Sequence, residues 1–133
     1  MISYLFLQLL FIFINAQQDK IHISPTQIYL DTSEEIDITL RLSSPIQCSD
    51  PHSLCDVVVL FTNPDPNKLS IRPCMAQWTM NDWDSTRTIT IKALEEFTFS
   101  GETQMEVIIE PVISNAEFYR DIELDNIDIY EKN

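Results

Sequence analysis

The stretch LSIRPCMAQWTMNDWDSTRTITIKA, residues 69–93, decides the fold of this chain. It contains both tryptophans, Trp78 and Trp83, and it ends at 87–93 in a strict alternation of apolar and polar residues. An alternation with a period of two places one face of a strand in a core and the other face in water. A shorter strand at 69–71 ends before Pro73, because proline cannot donate a hydrogen bond to a sheet. The stretch therefore predicts two strands joined by a corner whose tryptophans fill the core.

Similar short strands are predicted along the rest of the chain, at 21–23, 28–30, 36–42, 57–61, 105–109 and 127–130. The first two form one strand interrupted by a Ser-Pro corner, and the continuous apolar run at 57–61 predicts a strand buried on both faces. No segment has a helical period over ten or more residues. About seven short strands, separated by turns rich in Asn, Asp, Ser and Pro, predict an all-β fold, an antiparallel β-sandwich.

Residues 1–16 predict a cleaved secretory signal peptide. They contain no charged residue, and their apolar centre is long enough for a signal sequence but too short to span a membrane. Ala16 offers a small residue for cleavage, although the segment lacks a basic start; a buried amino-terminal helix or strand is the alternative. The mature part, 17–133, has the length of one domain, and we expect it to be secreted without further membrane insertion.

The charge balance disfavours two classes of partner. Twenty-one acidic residues oppose eight basic residues, which gives a formal net charge of −13. Such a chain repels the phosphates of nucleic acids and anionic membrane surfaces. Gly101 is the only glycine, so a glycine-rich loop that cradles phosphates is excluded as well.

Three cysteines leave at least one thiol without a partner in the chain. Cys48 and Cys55 flank a short loop, and we expect them to form a disulfide in an oxidising compartment. A pairing of Cys55 with Cys74 is the alternative. Otherwise Cys74 is a buried thiol or an intermolecular link. A zinc site is excluded, because the chain lacks a Cys-x-x-Cys pair and the histidines have no matching spacing.

The order of these motifs resembles the Calx-beta-like, immunoglobulin-like sandwich repeats of extracellular surface and adhesive proteins. The resemblance covers about residues 21–130, and its most specific part is QWTMNDWDSTRTITIKA at 77–93, followed by an acidic turn. It implies an immunoglobulin-like sandwich and a role in adhesion or structure. The acidic turn departs from the family, because Leu94, Thr98 and Phe99 interrupt its acids.

Acidic residues near one end of the predicted sandwich are candidates for a calcium site, because calcium prefers oxygen ligands on flexible loops. An acidic surface that serves only solubility is the alternative interpretation. The candidates are Glu95, Glu96 and Glu102 in the turn, with Asp125 and Asp128 near the last strand.

No motif supports catalysis. His22 and His52 are the only histidines, and neither belongs to a recognisable nucleophile motif. Trp78 and Trp83 could stack on a sugar, but small sandwiches commonly bury such residues. We therefore predict a secreted non-enzymatic module, without a cofactor, that contacts other extracellular proteins or copies of itself. A calcium-binding module is the alternative, followed by a carbohydrate-binding module.

Overall fold

The structure is a computed structural model that describes residues 19–50, 55–95, 97 and 104–132. The predicted signal peptide, 1–16, lies outside the described residues. Within them, ten strands and no helix are found. The strands are β1 Ile21–Ser24, β2 Gln27–Leu30, β3 Glu35–Leu42, β4 Val57–Thr62, β5 Leu69–Arg72, β6 Met75–Trp78, β7 Arg87–Ala93, β8 Gln104–Ile109, β9 Ile113–Ser114 and β10 Ile127–Glu131.

The strands form two sheets that share one hydrophobic core. The smaller sheet has the order β1-β3-β7-β5, and all its pairs are antiparallel. The larger sheet has the order β2-β10-β8-β4-β6, with β9 also paired to β4. One pair, β2 with β10, is parallel, so the prediction of a purely antiparallel sandwich was wrong at this edge.

The chain crosses between the sheets at both sides of the sandwich. β1 is an edge of the smaller sheet, and β2, which follows the cis peptide bond Ser24-Pro25, is an edge of the larger sheet. β5 and β6 repeat this arrangement around the cis bond Arg72-Pro73. Because β2 is placed next to β10 by this crossing rather than by a hairpin, the pair can run parallel.

A β-bulge interrupts the larger sheet between β8 and β9. Phe61 pairs with Ile109 and Val58 pairs with Ile113, so three steps along β4 correspond to four steps along its partner. The extra residue falls near Glu110-Pro111, where a strand tolerates a proline. Ile109 and Val112 are consequently both buried although they are three residues apart.

The core is apolar throughout, and among the described residues no polar or charged residue is fully buried. Trp78 is 0 % exposed, and its indole N–H donates to the carbonyl of Ser85 at 2.7 Å. Trp83 is half-buried and packs against the core. Val58 and Leu60 are only half-buried, so β4 is buried on one face rather than on both as predicted.

The disulfide joins Cys48 to Cys55, whose Cα atoms are 6.0 Å apart. This confirms the favoured pairing and makes the alternative, Cys55 with Cys74, wrong. Cys74 is a free and exposed thiol, so its prediction as a buried thiol was also wrong. Its position explains the exposure, because it lies between Pro73 and the first residue of the edge strand β6.

The corner between β6 and β7 is held by a carboxylate. Asp82 accepts hydrogen bonds from the backbone N–H of Thr79 at 2.6 Å and from Nη2 of Arg87 at 2.6 Å. Arg87 also donates from Nε to the carbonyl of Gln77 at 2.8 Å. The bond from the Thr79 backbone is the main cause that holds the pKa of Asp82 below its usual value, with smaller contributions from the Thr79 hydroxyl and Arg87.

We predict that Asp82→Asn lowers the melting temperature at neutral pH and that the deficit shrinks in acid. A carboxyl group whose pKa is lowered by folding stabilises the folded state above its unfolded pKa, near 3.8. That stabilisation disappears as the pH falls through the lower folded pKa. Melting curves of both proteins from pH 7 to pH 2 measure it. Asp84→Asn, a charge-matched change in the same corner, is the control, and an equal deficit in both variants would contradict the prediction.

Candidate interaction surface

Exposed apolar side chains concentrate on the outer face of the larger sheet, which is the face turned away from the smaller sheet. Six large apolar residues of the described chain are exposed, and four of them lie on this face: Tyr29, Met75, Ile108 and Ile113, at 43–56 % exposure. The other two, Met80 and Phe118, lie outside the strands. A strand face turned to water normally carries polar residues, so this face is unusual.

One half of the face is an apolar patch, which consists of Val58, Leu60, Met75, Ile108 and Ile113. The register brings them together, because Val58 is opposite Ile113 and Leu60 is opposite Met75. Ile108 is opposite Thr62, the next outward residue of β4. The bulge between β8 and β9 turns Ile113 outward, since without the extra residue its side chain would point to the other face.

The other half is a tyrosine edge, which consists of Gln27, Tyr29, Glu106, Asp128 and Tyr130. Tyr29 and Tyr130 are directly opposite each other in the parallel pair, and their rings stack with centroids 4.9 Å apart and an interplanar angle of 18°. Asp128 lies between Gln27 and Glu106 in the adjacent row.

The tyrosine edge is negatively charged. Ion pairs in the described part of the chain join Arg87 to Asp82 and Lys132 to Glu34, and neither Asp128 nor Glu106 takes part in them. The Asn126 amide donates to Glu106 at 3.3 Å. Desolvation is the largest cause that raises the pKa of Tyr130, followed by the charge of Asp128 and contributions from Tyr29 and Glu106.

The calcium candidates are spread over the molecule. Glu95 is exposed and lies just after the end of β7, whereas Asp125 lines a groove with Thr86, just before the start of β7. The two carboxylates therefore lie at opposite ends of that strand. Asp128 belongs to the tyrosine edge, and Glu96 and Glu102 lie outside the described residues. No group of three or more His, Cys, Asp or Glu that could hold a metal is found in the described part, and calcium binding stays a prediction.

The described part of the chain shows no second site at the tryptophans or at His22. The fully buried Trp78 presents no ring face to a sugar, so the two tryptophans do not form a joint exposed platform. His22 is opposite Arg41 in the pair of β1 with β3, and His52 lies outside the described residues. The tyrosine edge was not found from the sequence, because Tyr29 and Tyr130 are far apart in the chain and only the register joins them.

Comparison with known structures supports the fold. Twelve chains of known structure match this chain, among them WR4, a C. elegans MSP family member. The TM-score is 0.53 at 10 % identity, and the match covers 84 % of this chain and 95 % of that one. At this identity the likeness shows the fold alone, an immunoglobulin-like β-sandwich.

No family narrower than this general fold is shown for the chain. No protein-family model and no curated protein matches it. The Calx-beta resemblance is therefore not supported beyond the general sandwich fold. In the described part of the chain, no helix is long and apolar enough to cross a membrane.

We predict that Asp128→Asn lowers the pKa of Tyr130. The carboxylate disfavours the negatively charged phenolate, so its removal makes the hydroxyl easier to ionise. NMR titration of tyrosine ¹³Cζ signals, assigned with Tyr130→Phe, measures the change. Glu123→Gln, which removes an exposed acid outside the tyrosine edge, is the control. An unchanged pKa in Asp128→Asn would contradict the geometry of this edge.

Proposed function

We propose that this protein is a secreted, non-enzymatic β-sandwich module that binds other proteins through the outer face of its larger sheet. The observation that carries the proposal is the concentration of four of the six exposed large apolar side chains on that face. A patch of this kind marks an interaction site on a soluble protein, because exposed apolar area is otherwise small and scattered. The sandwich provides a rigid support, since every patch residue lies in a strand.

Two features support secretion. Residues 1–16 have the apolar composition of a signal peptide, and 17–133 then form the mature domain. The disulfide between Cys48 and Cys55 fits an oxidising compartment, because disulfides persist there and are rare in the cytosol.

The partners in this proposal are other extracellular proteins or copies of the chain, in a cell-surface, adhesive or filamentous assembly. The net charge of −13 favours partners with basic surfaces and opposes nucleic acid. The apolar patch supplies contact area, while the acidic tyrosine edge beside it restricts which partners fit.

Site-specific photo-crosslinking in the native secretory host tests the proposal. We expect benzoylphenylalanine at position 113, in the apolar patch, to capture a discrete protein from the cell surface or medium. The matched control is the same residue at position 88, which is exposed in β7 of the smaller sheet. Equal capture at both positions, or capture at position 88 alone, would contradict the proposed face.

A further inference from the structure

In the part of the chain that the structure describes, β2 has an unpaired hydrogen-bonding edge at one side of the larger sheet. In the parallel pair, the N–H of Asp128 donates to Thr26 and the N–H of Lys132 donates to Leu30, both at 2.9 Å. These bonds direct the backbone groups of Thr26 and Leu30 towards β10, and strand alternation then directs those of Gln27 and Tyr29 away from it. Within the described residues, β10 is the only strand paired with β2.

The sequence of this edge strand lacks two of the usual protections against pairing with another strand. Edge strands are commonly blocked by lysine, proline or a covering contact, and β2, with the sequence QIYL, contains neither residue. The opposite edge of the same sheet differs, because the Gln77 carbonyl of β6 already accepts a hydrogen bond from Arg87. An extended segment of another protein can therefore pair with β2 through Gln27 and Tyr29.

The side chains beside the open edge of β2 favour a partner segment that carries positively charged side chains. Tyr29 is 56 % exposed and stacks on Tyr130, so the edge presents an aromatic face to an added strand. A guanidinium or ammonium group is attracted to such a face. Asp128 lies in the adjacent row, opposite Gln27 of β2, and belongs to neither of the two ion pairs given above, so its carboxylate is available to the same cation.

We propose that the open edge of β2 binds an extended basic segment of a partner protein, which adds a strand to the larger sheet and places arginine or lysine against Tyr29 and Asp128. This proposal rests on the proposed function, and it specifies where one contact with the partner protein lies and which chemistry it uses. Arginine fits better than lysine, because its planar group stacks on an aromatic ring and donates several hydrogen bonds to a carboxylate. An acidic segment is repelled by the same carboxylate.

A peptide titration of the intact secreted protein tests the proposal. The probe is the acetylated and amidated peptide Thr-Arg-Val-Arg-Val-Arg-Thr, whose arginines fall on one face of a strand. Its counterpart with glutamate in place of arginine is the charge control. We expect only the arginine peptide to bind, with its largest amide NMR shifts at Gln27 and Tyr29, and to bind more weakly as salt is raised.

Four variants separate the contributions. Tyr29→Ala and Asp128→Asn each weaken the binding of the arginine peptide at least tenfold, because the first removes the aromatic face and the second removes one carboxylate. Gln27→Pro also weakens it at least tenfold, since it removes an outward N–H that is not used to pair with β10. Thr88→Ala, an exposed change in β7 of the smaller sheet, leaves this binding within twofold.

The results separate this proposal from the proposed function. Equal binding of both peptides, full binding by Tyr29→Ala and Asp128→Asn, or shifts centred on the apolar patch would overturn the assignment of the edge. If position 113 still captures a partner in that case, the protein-binding function stands without this site. If the arginine peptide binds at β2 but position 113 captures nothing, the assignment of the β2 edge as a binding site is supported and the role of the apolar patch is contradicted.

Discussion

The burial of Trp78 between the two sheets is the packing constraint on which the rest of the structure depends. Trp78 ends β6 in the larger sheet, and its indole N–H is bonded to Ser85 in the corner that leads to β7 in the smaller sheet. One side chain therefore ties both layers to the corner that joins them. A fully buried indole supplies much apolar area, and its N–H requires a partner, so its position is closely restricted.

The residues that are buried on the inner faces of the two sheets determine which residues point outward. Alternation places Ala76 and Trp78 in the core, which turns Met75 and Gln77 outward from β6. The same rule turns Val58 and Leu60 outward from β4, and the bulge after Ile109 adjusts β9 so that Ile113 joins them. The apolar patch is thus a consequence of strand register combined with apolar residues at positions that could have been polar.

Much of the fold follows from local pattern. The alternation at 36–42 and 87–93 predicted β3 and β7 within a residue, and the Ser-Pro corner lies at the break between β1 and β2, although these belong to different sheets rather than to one strand. The apolar run at 57–61 predicts a doubly buried strand, whereas β4 is buried on one face only, because such a run suits an exposed apolar face equally well. β6 at Met75–Trp78 lies where the sequence predicts a corner, since Pro73 and the tryptophans obscure the pattern of a short strand.

The partners of each strand were not predictable, because alternation indicates a face but not a neighbour. The parallel pair of β2 and β10 joins Tyr29 to Tyr130 across almost the whole chain, and this pairing creates the tyrosine edge. The separation of Glu95 from Asp125 has the same origin, because only the topology places them at opposite ends of β7.

Hydrogen exchange at the indole N–H of Trp78 tests the central constraint most directly, and Trp83 provides a comparison within the same molecule. Because Trp78 is buried between both sheets, we expect its indole N–H to exchange only through global unfolding, at the rate of the slowest backbone amides in β3 and β7, while Trp83 exchanges faster. Exchange of Trp78 as fast as that of Trp83 would contradict the account, because the corner would then open without unfolding the two sheets.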